Sequence, residues 1–466
     1  MPTRTLEADY LVVGGGAAGM AFTDSLISET DARVVMVDRR AGPGGHWNAA
    51  YSFVRLHQPS RYYGVNSTPL DGDAMQGSGP EAGMYRRAGG AEIRAYYQGV
   101  MSERLVPSGR VRFFPQCDYL GDRRFVSRLS GETFHVEVRK KLVDARYLSP
   151  SIPAETPPPY HVAAGVSSLP VGQLAHLAER PARFVVVGSG KTAMDACVWL
   201  LENGIDPADI QWIKPRESWL LNRRYYQPGE LVGDLLMGIA CQMEAAARAS
   251  SVDDLFDRLE AAEQLRRVDR GARPTMYKGA TVGDWELELL RRIQDVVRLG
   301  HVRRVERDRI VLERGTVPTR PGHLHVHCAA RGLPRPPPVP IFAADRITLQ
   351  PVRTGLVPFN AALVAFVEAH RDDDAEKNRL CPPNPYPDTP LDWARGTLIQ
   401  MAADRAWSKE PDISEWLERS RLNPMRGLRE RLPEDHLAQE ASRRFAESVR
   451  PGLARLAELV GLDGGS

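Results

Sequence analysis

One local pattern occurs twice in this chain, and it constrains the fold more than any other feature. Tyr10 to Val13 is a short apolar run that ends on Gly14-Gly15-Gly16, and Ala17 to Ile27 follows as a stretch of small and apolar residues with helical spacing. A β-rich run, Arg33 to Val37, then closes on Asp38, 19 residues after Gly19. Gly14-x-Gly16-x-x-Gly19 between a strand and a helix, with an acid at the end of the next strand, is a dinucleotide-binding βαβ unit. Gly14 permits the tight turn, Gly16 lets backbone approach a pyrophosphate, and Gly19 lets helix and strand pack closely. The helix N-terminus presents free N–H groups and a positive dipole to the pyrophosphate, and Asp38 accepts hydrogen bonds from an adenosine ribose.

The second copy starts at Phe184 to Val187, turns at Gly188-Ser189-Gly190, continues as a helix from Thr192 to Glu202 and returns as the strand Ile210 to Ile213. Its fingerprint, Gly188-x-Gly190-x-x-Ala193, carries alanine where only a small residue is needed. A triphosphate loop is excluded by spacing, because Val185 stands where such a loop needs its first glycine before Gly190-Lys191-Thr192. After the second strand, where an NAD site places an acid, the chain has Lys214-Pro215-Arg216. Cations there suit a 2′-phosphate, so Lys214 and Arg216 are expected to select NADPH.

Length and composition fit this reading. The chain has 466 residues, enough for several domains at roughly 150 residues each. Its 61 basic and 59 acidic side chains leave a net charge of +2, too small a field to suggest nucleic acid or an anionic membrane as partner. No run reaches the ~20 apolar residues of a membrane-spanning helix, and the first strand begins close to Met1, so a cytoplasmic protein is expected. Five scattered cysteines, with no C-x-x-C, disfavour a disulfide framework, a Cys-rich metal site and dithiol reductase chemistry.

Two dinucleotide units imply two dinucleotides, and NADPH needs an acceptor for its hydride, for which flavin is the obvious candidate. Gly44-Gly45-His46-Trp47 follows Asp38, where glycine-rich backbone is expected near a flavin. With both fingerprints, this arrangement resembles the flavin-containing monooxygenase family. The resemblance covers about residues 8 to 345 and rests on the two fingerprints, Gly44 to Trp47, and Arg216 to Arg223. It implies FAD in the first unit, NADPH in the second, and oxygen transfer to a small-molecule substrate through a C4a-(hydro)peroxyflavin, with molecular oxygen as co-substrate. It also aligns Val54-Arg55-Leu56-His57-Gln58-Pro59 with the family's L-R-T-N-x-P stretch, which implies that Arg55, His57 and Gln58 line the flavin, with His57 in place of the family's Asn. The chain departs from the family where the motif F-x-G-x-x-x-H is reduced to Ala163-x-Gly165 with Leu169 at the histidine position, and where A-T-G is replaced by residues around Cys328 to Gly332. A flavin reductase without oxygen transfer, and a non-catalytic nucleotide-binding redox sensor, are the rival readings.

The expected architecture is α/β, with two Rossmann-like dinucleotide-binding domains, a helical insert and a helical C-terminal tail. Residues 1–155 and 300–380 are expected to form the FAD domain, 156–299 the NADPH domain with a helical insert over 231–293, and 381–466 a helical region. Within the first domain, Phe125 to Leu129, Thr133 to Val138 and Leu142 to Ala145 read as three short strands, the last two separated by Lys140-Lys141.

Overall fold

A computed structural model of the chain describes residues 3–462. The first unit is built on a parallel core of five strands in the order Arg346–Thr348, Thr133–Asp144, Arg4–Val13, Val34–Val37, Val111–Phe114, with Phe342–Ala343 antiparallel at one edge. Alternation along Arg4–Val13 sorts its side chains between two cores. Tyr10 and Val12 join a cluster with Met20 and Phe22 of helix Ala17–Glu29 and Phe359 and Phe366 of helix Val357–His370. Leu11 and Val13 face Phe125, Phe134 and Leu142 on the other side. Both faces are covered, which is why the end of this strand is apolar without interruption.

The expected break at Lys140-Lys141 does not exist. Thr133–Asp144 is one strand, paired along its length with Arg4–Val13, and the register slips by one residue between Ala8 and Tyr10 to pass the lysines. Lys141 can stay in a buried strand because its Nζ meets Asp374 at 2.5 Å and Glu368 at 3.6 Å. Lys140 lies over the Tyr10 ring.

The second unit is a five-stranded parallel sheet in the order Val296–Val297, Ile210–Ile213, Arg183–Val187, His323–His327, Ser168–Pro170. Helix Lys191–Glu202 packs on one face through Ala193, Met194, Cys197 and Leu200. The other face is covered by Val302–Val305, Arg309–Leu312 and Gly315–Pro318, whose sheet is completed by His161–Val162. Residues 302–327 therefore hydrogen-bond into the second unit, whereas the sequence reading placed 300–380 in the first. Val302 and Val305, brought to one face by a register irregularity between Val302 and Arg304, pack with Ile310 and Leu312 on Val185, Val187 and Ile213 of the second sheet. We propose that the first unit resumes near residue 340.

The insert over 231–293 is not all helical. Helices Val232–Arg248, Val252–Ala261 and Asp284–Arg291 are present, but Ser218–Asn222, Leu265–Arg266 and Met276–Val282 form a three-stranded sheet among them. The C-terminal helices are part of the body. Trp407, Ile413, Trp416 and Leu422 belong to the first unit's core, and Arg421 donates to the carbonyls of Arg61, Tyr63 and Val65. Helix His436–Leu459 lies on Val232–Arg248, so close that a side chain at Gly452 would meet the Met243 carbonyl at 2.7 Å. Among the described residues no helix is long and apolar enough to cross a membrane, and no group of three or more metal-ligating side chains converges.

Candidate functional site

The first fingerprint folds as its residue types require. Gly14 has φ +111°, a left-handed conformation that admits glycine. A Cβ on Gly19 would lie 1.9 Å from the Gly14 carbonyl oxygen, so the helix can cross the turn only with glycine there. The Asp38 carboxylate is buried and accepts from the Gly15 N–H at 2.7 Å and from the Arg40 N–H at 2.7 Å. Gly44 donates to the Gly15 carbonyl at 2.8 Å, and Gly45, at φ +60°, approaches Gly16 so nearly that a Cβ would be 2.9 Å from its Cα.

These glycines open on a cavity of about 400 Å³ bordered by Gly14, Gly16, Asp38, Gly45 and His46, by Arg40 and Tyr119, and by the first residues of helix Val357–His370. His46 is held neutral, its pKa lowered to about 4 by burial and then by the neighbouring Arg40, against a smaller opposing pull from Glu155. Trp47 stacks on His46 at 5.0 Å and donates to the Tyr63 hydroxyl at 2.8 Å from outside the cavity wall. Sequence reasoning missed Asn360 and Tyr386 in this wall. No signal marked them, since Asn360 sits in a mostly apolar helix and Tyr386 in a Pro-rich stretch, neither carrying a motif.

At the second fingerprint Gly188 has φ +145°, and a Cβ there would press on the Cys328 carbonyl at 2.8 Å. Trp212 pins the turn by donating from Nε1 to the Gly188 carbonyl at 2.8 Å. A Cβ on Gly190 would meet nothing within 4 Å, so this position is open to a ligand. Ala193 is fully buried and Thr192 half-buried in the first helical turn. Lys191 does not project into the opening: its Nζ is 2.5 Å from Asp195 and 2.9 Å from Glu286.

Lys191 links Asp195 into a buried chain of alternating charge. Glu286 also binds Arg223 at 2.6 Å, Arg223 contacts Glu81, and Glu81 binds Arg87 at 2.8 Å. At the other end Asp195 accepts from the Tyr51 hydroxyl at 2.7 Å. Burial opposes ionisation of Glu81 and Glu286, yet the cations hold both carboxyls below the usual range. Tyr51, Glu81 and Arg87 come from the long loop region after Trp47, Arg223 from the turn just before the insert and Glu286 from the insert, and Lys191 and Asp195 from the second unit's helix.

The residues expected to line the flavin lie elsewhere. None of Arg55, His57 and Gln58 borders the 400 Å³ cavity. Their loop is drawn the other way by Phe53, which stacks on Trp199 at 4.8 Å and 17°, and by the Tyr51 to Asp195 bond. Arg55 is exposed. His57 is held neutral beside the ionic chain, its pKa lowered to about 4 first by burial and then by Lys191, and its carbonyl accepts from Thr281 at 2.8 Å. The Gln58 amide nitrogen is buried without a hydrogen-bond partner among the described residues.

The pair expected to read a 2′-phosphate is also divided. Lys214 is buried, 2.5 Å from Glu217 and over the Trp212 ring. Arg216 makes a two-pronged bond to Asp388, at 2.7 and 2.8 Å.

Residues 12–60, which hold the first fingerprint, match the family described as an NAD(P)-binding Rossmann-like domain. The fold is similar to that of an oxidized steroid monooxygenase bound to NADP, with a TM-score of 0.50 and 13% identity over 96% of this chain and 98% of that one. Two curated relatives span most of the chain: the uncharacterized protein Rv2000 of Mycobacterium tuberculosis and the uncharacterized protein Mb2023 of Mycobacterium bovis are each 48% identical over 428 residues, 92% of this chain and 79% of the relative. Its α/β fold is similar to that of the steroid monooxygenase, and by its mycobacterial relatives this chain belongs to the family of those proteins.

Proposed function

We propose that the protein is an FAD-dependent, NADPH-using oxidoreductase of monooxygenase type, acting on a small molecule with oxygen as co-substrate. The observation that carries this reading is the pairing of two glycine-built helix N-termini in one chain, the first facing a cavity of about 400 Å³ and the second open at Gly190. Gly14, Gly16 and Gly19 would admit the FAD pyrophosphate, and Asp38, already holding the loop through Gly15, would orient the ribose. Gly45 and His46 would border the flavin end, and a neutral His46 can accept or donate one hydrogen bond without bringing a charge to it. Gly188, Gly190, Thr192 and Ala193 would receive NADPH. When bound, the flavin would accept hydride from NADPH and pass electrons to oxygen.

A second reading is favoured by one observation. Arg55, His57 and Gln58, the donors that would protect an oxygenated flavin, do not border the 400 Å³ cavity, which suits an NADPH-dependent flavin reductase that transfers no oxygen.

The test is to reconstitute the protein with FAD, reduce it anaerobically with NADPH, and mix it with ¹⁸O-labelled oxygen and a panel of small ketone and sulfide probes. Label in a probe supports the monooxygenase reading. Rapid flavin reduction with one hydrogen peroxide formed from oxygen per NADPH oxidised, and every probe left unlabelled, supports the reductase. A protein that takes up no FAD, or whose FAD is not bleached by NADPH, overturns both.

A further inference from the structure

The second unit holds another cavity, of about 410 Å³, that neither fingerprint accounts for. It lies at the edge strand Val296–Val297 and is bordered by Lys214, which directly follows strand Ile210–Ile213. In a βαβ dinucleotide unit the adenosine ribose lies at the end of that strand. The floor is aliphatic and the rim is cationic: Lys214, Arg270, Arg291 and Arg298 stand around it, with Asp269 as the one carboxylate in the wall.

The charges do not cancel. Glu217 binds Lys214 at 2.5 Å and Arg298 at 2.7 Å, and Asp269 binds Arg298 at 2.7 Å, so two carboxylates answer these two cations. Arg291 donates only to backbone carbonyls, of Val268 at 2.9 Å and Arg267 at 2.9 Å. Arg270 is exposed and makes no hydrogen bond or ion pair among the described residues. Neither Arg270 nor Arg291 is paired with a carboxylate among the described residues, and burial and then repulsion from Arg270 and Arg266 lower the Arg291 pKa against smaller pulls from Glu260 and Asp284. A dianionic phosphate matches this excess in sign and size.

Arg216 offers the opposite environment. Its fork is filled by Asp388, which also draws Lys278 at 3.6 Å and Arg335 at 3.3 Å. A phosphate arriving at Arg216 would have to displace that carboxylate or sit beside it.

We infer that the 2′-phosphate of NADPH is read in this cavity by Arg270, carried on a loop that Arg291 positions, and not by Arg216. The inference rests on the NADPH reading above and changes the residues that give it specificity. Lys214 borders the ribose, Arg291 holds the loop backbone of residues 267 and 268, and Arg270 closes on the phosphate as a fork of donors.

The experiment is calorimetric titration of the full-length protein, saturated with FAD, with 2′,5′-ADP and with 5′-AMP. The wild type is expected to bind 2′,5′-ADP more tightly. Arg270→Ala weakens 2′,5′-ADP about tenfold to a hundredfold, the range of one charged hydrogen-bonded contact, and leaves 5′-AMP unchanged. Arg270→Lys recovers part of the loss because charge is kept and the fork is not. Arg216→Ala keeps the preference. If Arg270→Ala keeps the preference, or Arg216→Ala removes it, the inference is overturned while the NADPH reading stands. If the wild type shows no preference between the two probes, both fall together.

Discussion

At the first fingerprint the N-terminus of helix Ala17–Glu29 faces a cavity, and the nearest acid, Asp38, is engaged with the loop's own backbone. At the second, the N-terminus of helix Lys191–Glu202 is flanked by a buried ionic chain that runs from Asp195 through Lys191, Glu286, Arg223 and Glu81 to Arg87. The backbones of the two turns are alike, with positive φ at Gly14 and Gly188 and extended caps at Gly16 and Gly190. What differs is the source of the surrounding charge. At the first unit's mouth the charges next to the turn, Asp38, Arg39 and Arg40, follow it closely in sequence, although wall residues such as Tyr119, Asn360 and Tyr386 come from farther along the chain. The second unit's mouth is furnished by three separate parts of the chain, so that mouth exists only when those parts are docked. A fingerprint thus specifies how near a backbone can come to a phosphate, and its neighbours decide what charge the phosphate meets.

The largest effect expected from this comparison is on folding. Arg223 is the one cation between Glu81 and Glu286, and all three side chains are buried. Arg223→Leu would leave two buried carboxylates short of a partner, and breaking a buried pair in this way costs roughly 3–5 kcal/mol. Denaturant unfolding should show that loss, with hydrogen exchange rising at both ends of the chain, in residues 81–87 and 191–195. A loss below ~1 kcal/mol would mean that the docking of loop, insert and second unit does not depend on this chain of charges.

The same contrast explains what could be read from the sequence. Each βαβ unit is encoded within about 30 consecutive residues, so its turn, helix and strands were legible, as was the need for glycine at Gly14 and Gly19. Features made by distant partners were not. Lys140-Lys141 reads as a break because its carboxylates, Glu368 and Asp374, lie more than 200 residues away. Arg216 reads as a free cation because nothing local announces Asp388. Arg55, His57 and Gln58 read as flavin neighbours because they follow the first unit directly, yet the packing of Phe53 on Trp199 turns their loop towards the second. Gly14, Gly16, Asp38 and Gly45 border the first cavity, and Arg55, His57 and Gln58 do not.

Acid should separate the two units further. In the first, His46 is held neutral, its pKa lowered to about 4. In the second, His323, His325 and His327 alternate along one central strand, all with pKa values lowered by burial, and His57 lies beside Lys191 with its pKa at about 4. Because each folded-state pKa is below the unfolded value of 6.5, unfolding takes up protons as the pH falls. The stability owed to these groups is complete above about pH 6.5 and is lost as the pH falls from there towards 4. The lowered carboxyls of Glu81 and Glu286 add their own loss only below 4.5. Between pH 6.5 and 4.5, hydrogen exchange should therefore rise sooner in strand His323–His327 than in Arg4–Val13. Equal or reversed order would show that the histidine row does not set the acid limit of the second unit.

The smallest effect on stability, and the sharpest on ligand choice, is expected at the middle glycines. Gly190 has φ −83° and ψ 179°, a conformation alanine adopts freely, and its Cβ would meet nothing within 4 Å. Gly16 has φ −83° and ψ −171°, and its Cβ would come no nearer than 3.5 Å, to Gly45 Cα, an ordinary contact. Alanine at either site restricts the unfolded chain, a gain of about 0.4–1 kcal/mol, but is a poorer helix N-cap than glycine by a similar amount. The two terms oppose, so each variant should fold with a stability within about 0.5 kcal/mol of wild type. What the methyl group does occupy is the space through which backbone approaches a pyrophosphate. Gly16→Ala should weaken FAD and spare NADP⁺, while Gly190→Ala should do the reverse, each by the roughly 1–3 kcal/mol typical of an overpacked contact. Titrations of both ligands into both variants give a crossed pattern if each fingerprint serves its own dinucleotide. An uncrossed pattern, with both variants weakening FAD alone, would mean that the open position at Gly190 receives no pyrophosphate and that the two units are alike in backbone only.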